Sequence, residues 1–182
     1  MKNAIAQFAQ ATSAALGFSM PKNPLELERA FLDPVKRNAF FIAMIPSLAF
    51  FGIKISKLNG RECQVDIPFT WRTQNPFQSV YFAAQSAAAE LTTGALILRA
   101  IAAYPQMSML VVSMKAEFGK KAKDDVSFIC LDGEAIHQAA EKALSGEAVT
   151  VSASAIGRMA NGDEVSRFTF EWALKTKPSR QG

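Results

Sequence analysis

One acidic residue stands out in this sequence because of the residues around it. Glu90 lies in an alanine-rich stretch, with Ser86 before it and Thr93 and Gly94 after it. At helical spacing, these small side chains shield the carboxylate partly from water, which raises the pKa of a carboxyl group toward the range of a general base. Such a carboxylate could activate water or attack a carbonyl carbon itself. The alternative is a structural glutamate bonded to Ser86, Thr93 or a neighbouring subunit.

The stretch that carries Glu90 is predicted to be one long helix, from about 77 to 103. It has no internal proline, and the side chains of its first half are small on almost every side of the helix, which is typical of a helix enclosed on several sides. Polar residues such as Gln85 within it exclude a transmembrane span. Asn75, just ahead of Pro76, is predicted to be a turn residue or helix cap, with ligand contact as the alternative.

Strand patterns flank this helix on both sides. Before it, apolar residues alternate around an Asn59-Gly60 turn, which predicts a β-hairpin. After it, alternating or apolar runs predict strands at 110–118, 126–131, 149–159 and 165–174, with a helix inserted at 133–146. Strands on either side of one enclosed helix predict an α+β domain with an antiparallel sheet curled around that helix.

The composition is that of an ordinary globular domain. The chain has 182 residues, of which 49% are hydrophobic and 20% charged, so it can bury a core and is far from the signature of disorder. The net charge is +4, but the cations are spread thinly, which argues against nucleic acid as a partner. Cys63 and Cys130 lie in strand patterns without metal-ligand spacing, which predicts buried free thiols and a reducing compartment.

Three parts are expected along the chain. Residues 1–50 are predicted to be a helical extension packed on the domain, 51–176 the main domain, and 177–182 a mobile tail. The apolar run at 40–51 is too short for a membrane span, and the protein is predicted to be cytoplasmic. Residues that recur at helical spacing predict an amphipathic N-terminal helix that docks on the domain or on a partner, rather than a secretory signal: Ile5, Phe8, Thr12 and Leu16.

The run N-P-F-Q-S-V-Y-F-A-A-Q-S-A-A-A-E, at 75–90, resembles the motif of PaaI-like hot-dog thioesterases. That motif has Asn-Pro or Asn-Gly, then His-Gly-Gly six residues on, and Asp or Glu fifteen residues after the Asn. Asn75 and Glu90 match this spacing. The run A-E-F-G-K at 116–120 similarly resembles the family's strand that ends in Phe before a basic turn. The start N-P-F-x-S-x-Y-F is similar to a little-characterised hot-dog subgroup known as a domain of unknown function.

The resemblance implies a hot-dog fold, in which an antiparallel sheet wraps around the long helix. It implies hydrolysis of an acyl-coenzyme A or carrier-bound thioester at the interface of a homodimer or dimer of dimers, with Glu90 as base or nucleophile and Asn75 at the site. In the family, the glycines let the thioester approach backbone N–H groups that act as an oxyanion hole. Phe82 and Ala83 stand there in this chain. Tyr81 replaces the histidine and could donate its hydroxyl to the carbonyl, with simple packing as the alternative.

Three lysines in the predicted basic turn could bind the phosphates of coenzyme A, with a solvated turn as the alternative: Lys120, Lys121 and Lys123. No cofactor is expected, because the sequence has no P-loop, dinucleotide or G-x-S-x-G pattern. No metal is expected either, since His137, the only histidine, has no matching set of ligands. The alternative functions are a non-catalytic acyl- or lipid-binding protein and an assembly module whose N-terminal helices bind a protein.

Overall fold

The structure, a computed structural model, describes residues 21, 23–104 and 106–176. Six strands form one antiparallel sheet in the order β1-β2-β4-β5-β6-β3. The strands are β1 Lys54–Leu58, β2 Cys63–Ile67, β3 Met107–Phe118, β4 Val126–Cys130, β5 Val149–Met159 and β6 Glu164–Thr176. Both predicted hairpins are therefore present. The amphipathic helix predicted near the N-terminus and the predicted mobile tail lie outside the described residues.

Three helices precede the sheet, α1 Pro24–Leu32, α2 Pro34–Met44 and α3 Pro46–Phe51. Each begins with proline, whose fixed φ and missing N–H suit the first helical position. Asn23 caps α1, and Asp33 caps α2 by accepting backbone hydrogen bonds from Val35 and Lys36. The second helix ends at Met44, just before Pro46, and Pro46 begins the third.

The long helix, α4, runs from Phe82 to Ile101. Most of its residues are buried, so the predicted enclosure is correct. Its start is five residues later than predicted, because the chain before it forms a tight loop. In that loop the Asn75 N–H donates to the Ser79 carbonyl at 2.8 Å, and Gln78 has a positive φ of 56°. No described helix is both long and apolar enough to cross a membrane.

The core lies between α4 and the inner face of the curled sheet. Aromatic side chains of β6 line that face, with Phe168 stacked on Phe170 and Phe170 beside Trp172. Cys63 and Cys130 sit opposite each other on β2 and β4, both buried and unbonded, as predicted. Burial raises the pKa of both thiols, that of Cys130 to about 12.

A fifth helix, α5 Gly133–Lys142, follows β4 and continues into a short 3₁₀ turn, Ala143–Ser145. One face of this helix is buried against the domain through residues such as Ile136 and Ala140. His137 lies on the outer face, 3.4 Å from the Glu141 carboxylate. Among the residues that the structure describes, no group of three or more His, Cys, Asp or Glu could hold a metal ion.

Strand β3 forms one edge of the sheet and pairs only with β6 among the described elements. The strand predicted at 110–118 is interrupted by a bulge between Val111 and Ser113. Beyond the bulge, Met114 pairs with Phe170 and faces the α4 side of the sheet, whereas Leu110 points to the other side. Apolar side chains on this edge are about half exposed, among them Met114 and Phe118.

Gly133 allows the start of α5 to pack on the β1–β2 turn. A methyl group there would lie 2.4 Å from the Gly60 carbonyl oxygen and 2.6 Å from the Arg61 Cα, both backbone atoms that cannot turn aside. We expect Gly133→Ala to lower the free energy of unfolding by about 3 kcal/mol through overpacking, measured by urea denaturation. Gly119→Ala is the control, because its added methyl meets its nearest atom at 3.6 Å and should change stability little. Equal stability of the two variants would contradict the expectation.

Candidate functional site

Glu90 lies two turns into α4, on a helix whose neighbouring positions are mostly buried. A methyl group built on Gly94 would be 3.3 Å from Glu90 Oε1 and 3.5 Å from the Trp172 ring, so the carboxylate rests over the glycine and beside the indole. Burial raises the pKa of Glu90 above its ordinary value. No hydrogen bond or ion pair joins the carboxylate to any described residue.

The two hydroxyls that could have held Glu90 in a structural role are used elsewhere. Ser86 Oγ donates to the Phe82 carbonyl at 2.9 Å. Thr93 Oγ1 donates to the backbone carbonyl of Glu90 at 3.1 Å and accepts from Trp172 Nε1 at 3.1 Å. Neither reaches the carboxylate. Within one chain, neither hydroxyl therefore holds Glu90 in a structural role. The carboxylate is partly shielded from water, and its oxygens can still accept hydrogen bonds.

The start of α4 leaves backbone donors without partners among the described residues. Gln85 N–H is the first to bond within the helix, to the Tyr81 carbonyl, so the N–H groups of Phe82, Ala83 and Ala84 have no partner in the described chain. The positive end of the helix dipole adds to their attraction for an oxyanion. The Tyr81 and Phe82 rings touch edge to face at 4.9 Å and are partly exposed. They border this helix start.

Asn75 holds the loop before α4. Its Oδ1 accepts hydrogen bonds from Phe77 N at 2.9 Å, Ser79 N at 3.3 Å and Ser79 Oγ at 3.2 Å. Asn75 is thus the loop residue that the sequence favoured. Its side-chain oxygen is committed to the loop, which leaves only the amide nitrogen to meet a ligand.

We expect Asn75→Ala to lower the free energy of unfolding by about 1–2 kcal/mol, because three donors lose their acceptor. Asn75→Asp keeps the acceptor oxygens and should retain nearly all of that stability. Thermal unfolding of the two variants measures the difference. If Asn75→Asp were as unstable as Asn75→Ala, the loop-holding role would be wrong.

A cavity of about 280 Å³ opens between the start of α4 and the loop after β3. Gln85 borders it and is itself 5% exposed: Nε2 donates to the Val80 carbonyl at 3.0 Å, and Oε1 accepts from Ser166 Oγ at 2.8 Å. This side chain ties the loop before α4 to β6. A second cavity of about 420 Å³ adjoins it at Phe118 and Gly119.

The three predicted phosphate-binding lysines differ in their surroundings. Lys120 Nζ is 2.6 Å from Asp163 Oδ1, so its charge is largely compensated. Lys121 lies over the Phe77 ring, 6.0 Å from the ring centroid, and borders the smaller cavity. Lys123 is exposed and forms no ion pair with a described carboxylate. Lys121 and Lys123 are therefore the two available cations.

Glu90 and the helix start lie on the same helix but not at the same point. Eight residues separate Phe82 from Glu90, and at about 1.5 Å per residue they are about 12 Å apart along the axis. Within one chain, the two features are therefore well separated along the helix.

Some residues that border these features were not predicted from sequence. Gln85 carried a signal, a polar residue in an alanine-rich run, but the sequence offered no way to find its partner Ser166. Trp172 had no recognisable signal in the sequence, because its contact with Thr93 depends on how β6 packs under α4. The predicted residues Asn75, Phe82, Lys120 and Lys121 do come together around one cavity.

Comparisons with known proteins agree with this architecture. The model of a family described as a domain of unknown function (DUF4442) matches residues 36–174. No curated protein sequence matches the chain. A solved structure from Pseudomonas aeruginosa, of a protein of unknown function described as a probable thioesterase, is similar with a TM-score of 0.68. Its identity is 20%, over 87% of this chain and 99% of that one.

Two further solved structures are similar. A protein of unknown function from Chlorobaculum tepidum has a TM-score of 0.67 and 15% identity, over 81% of this chain and 99% of that chain. A thioesterase from Haemophilus influenzae has a TM-score of 0.54 and 10% identity, over 78% and 90%. At such identities the likeness shows the fold. The predicted hot-dog arrangement, an antiparallel sheet around a long helix, is confirmed.

Proposed function

The chain belongs to the DUF4442 family, and on that premise we propose that it hydrolyses acyl thioesters, carried by coenzyme A or by a carrier protein. The observation that carries this proposal is the Glu90 carboxylate, shielded beside Trp172 and without a hydrogen bond from the described chain. Two of the similar structures are described as a probable thioesterase and a thioesterase. The free thiols Cys63 and Cys130 favour a reducing compartment, such as the cytoplasm.

In the proposed reaction, the Glu90 carboxylate takes a proton from water, and the resulting hydroxide attacks the thioester carbonyl carbon. The carbonyl oxygen becomes an oxyanion, held by N–H groups at the start of α4. The C–S bond then breaks, and the proton on Glu90 passes to the departing sulfur. The products are a carboxylic acid and a thiol.

In the other route, Glu90 attacks the thioester carbonyl carbon directly, the C–S bond breaks, and the thiolate leaves. Water then hydrolyses the acyl-enzyme anhydride and supplies the proton that the thiolate takes up. The two routes differ in isotope labelling. If water opens the anhydride at the Glu90 carbonyl, a single turnover in ¹⁸O water leaves label on that side chain. With Glu90 as general base, all of the label goes to the product acid.

The active unit in this proposal is a homodimer, in which Glu90 of one chain faces the helix start of the other. The separation of about 12 Å within one chain supports this arrangement. A partly exposed stripe of α4, including Ala83, Ala87 and Glu90, and the half-exposed apolar side chains of edge strand β3 support it further. Assembly of such pairs into a dimer of dimers is compatible with the same interface.

Substrate contacts in the proposal follow from the cavity at the helix start. Phe82 and Ala83 supply the oxyanion-binding N–H groups, and Tyr81 can donate its hydroxyl to the carbonyl from the same edge. Lys121 and Lys123 bind the phosphates of coenzyme A, and Lys120 contributes less because Asp163 pairs with it.

A second candidate function is non-catalytic binding of an acyl group or lipid. The Tyr81 and Phe82 rings favour it, because they present apolar surface at the helix start where the related motif has His-Gly. Such a protein would retain an acyl ligand without turning it over.

The test is a screen of the purified protein against short, long and aromatic acyl-coenzyme A thioesters, with a dye that traps the released thiol. Turnover on one of these classes supports the hydrolase. Absence of turnover on all of them, with an acyl ligand copurified and tightly retained, would favour the binding protein.

A further inference from the structure

The outer surface of α2 and α3 carries a group of exposed apolar side chains. On α2, Val35 and Ile42 are seven residues apart and face outward, away from the buried Phe40, and the exposed Ile45 follows the helix. The edge of the Trp71 ring contacts Phe50 of α3, with centroids 6.0 Å apart. We call this surface the α2–α3 face; its members are 38–78% exposed and are Val35, Ile42, Met44, Ile45, Phe50 and Trp71.

The segment that carries most of this face, residues 34–61, has cations but no acidic residue. Between Asp33 and Glu62 the sequence has no acidic residue and five cations, Lys36, Arg37, Lys54, Lys57 and Arg61. Arg37 is buried, and Lys57 pairs with Glu62. Lys36 and Lys54 are exposed and form no ion pair with a described carboxylate. Asp33 is engaged in capping the backbone of α2.

The helices that carry most of the α2–α3 face follow α1, which packs on β1 at one edge of the sheet, whereas the proposed dimer contact uses β3 at the other edge. Pairing through β3 therefore engages the edge opposite to α1.

We propose that the α2–α3 face docks on the surface of a bilayer that contains anionic phospholipids. A helix with an apolar outer face and flanking lysines lies in the plane of the interface, with apolar side chains below the headgroups and cations near the phosphates. Trp71, the most exposed of its aromatic members, has the ring type that prefers headgroup depth. A second copy of the chain is less suited to bind this face, because the exposed lysines beside the face would repel those of the other copy.

The experiment is flotation of the full-length protein with two kinds of vesicle, pure phosphatidylcholine and phosphatidylcholine mixed with phosphatidylglycerol. The variants are Ile42→Glu and Phe50→Glu on the face. Leu131→Glu is the matched control, because Leu131 is at least as exposed, follows β4 and receives the same charge. Trp71 fluorescence gives a second readout, since the other tryptophan, Trp172, is buried.

We expect wild type and Leu131→Glu to float with the anionic vesicles, with a blue shift of Trp71 emission, and high salt to release them. Ile42→Glu and Phe50→Glu should bind about tenfold more weakly. Absence of flotation with anionic vesicles at low salt, or equal flotation of all four proteins, overturns the proposal. Loss of self-association in the two face variants without any vesicle binding would overturn it too, in favour of a second copy. These outcomes do not depend on thioester turnover.

Discussion

Replacing Glu90 with glutamine is expected to lower kcat for thioester hydrolysis by about 10²–10⁴-fold, the usual contribution of a positioned general base. Glutamine keeps the shape of the side chain but cannot accept the proton from water. KM should change little, because binding relies on the helix start and the lysines. Thiol release under steady-state conditions measures both constants.

The control for this experiment is Glu134→Gln on α5, where an exposed carboxylate accepts a hydrogen bond from Gln138. Its kcat should equal that of wild type. If Glu90→Gln also turned over at the wild-type rate, Glu90 would not be the base or nucleophile, even if the activity itself were present.

The pH dependence gives an independent readout of the same residue. The base must be ionised, so kcat should fall as the pH decreases through the Glu90 pKa, which burial raises above that of an exposed glutamate.

Stability should change in the opposite direction, because the raised Glu90 pKa makes the fold less stable as the pH increases. Above it, the folded protein holds a charge that the unfolded chain solvates better, so ionisation destabilises the fold. Glu90→Gln should therefore raise Tm at pH 8, and the difference should vanish in acid, where both side chains are neutral. A structural, hydrogen-bonded Glu90 would give a lower Tm in the variant at pH 8.

Placing a charge on the edge strand is expected to separate the chains and abolish turnover. In Met114→Glu, a carboxylate replaces a half-exposed apolar side chain on the α4 side of β3, next to Phe170 across the strand pair. Burial of that charge in a subunit contact is strongly unfavourable. We expect monomers in analytical ultracentrifugation and activity reduced about 100-fold or more, because the two halves of the site then lie on separate molecules. Leu131→Glu again serves as the control and should leave both properties unchanged.

A monomeric Met114→Glu protein with full turnover would contradict the two-chain site while leaving the hydrolase proposal intact. A mixing experiment makes the distinction directly. Glu90→Gln and Ala83→Arg should each be inactive, but heterodimers of the two contain one site with an intact Glu90 and an intact helix start. Random reassociation should restore about a quarter of wild-type activity. No recovery after verified subunit exchange would mean that both groups act from one chain.

Sequence periodicity predicted the elements well because most of them bury one face. The alanine-rich run of α4 could be recognised as an enclosed helix, and Glu90 within it could be singled out, since both depend on residues a few positions apart. The sheet order depends on long-range pairing and was implied by resemblance rather than by local pattern.

The details around the site depend on contacts that sequence spacing does not encode. The start of α4 was predicted too early because Tyr81 N–H donates to Thr73 and Val80 N–H donates to Ala122, two bonds that hold the preceding loop out of the helix. Lys120 was predicted as a phosphate ligand, but its carboxylate partner Asp163 lies in a turn forty-three residues later. Only the folded chain brings these groups together.

The prolines of the N-terminal helices bear on how freely these helices can move against one another. Single residues, Asp33 and Ile45, join α1 to α2 and α2 to α3, and each is followed by proline. Proline locks its own φ and restricts the residue before it, so these joints have little freedom to swing. The three helices should thus move as one rigid unit and not hinge against one another.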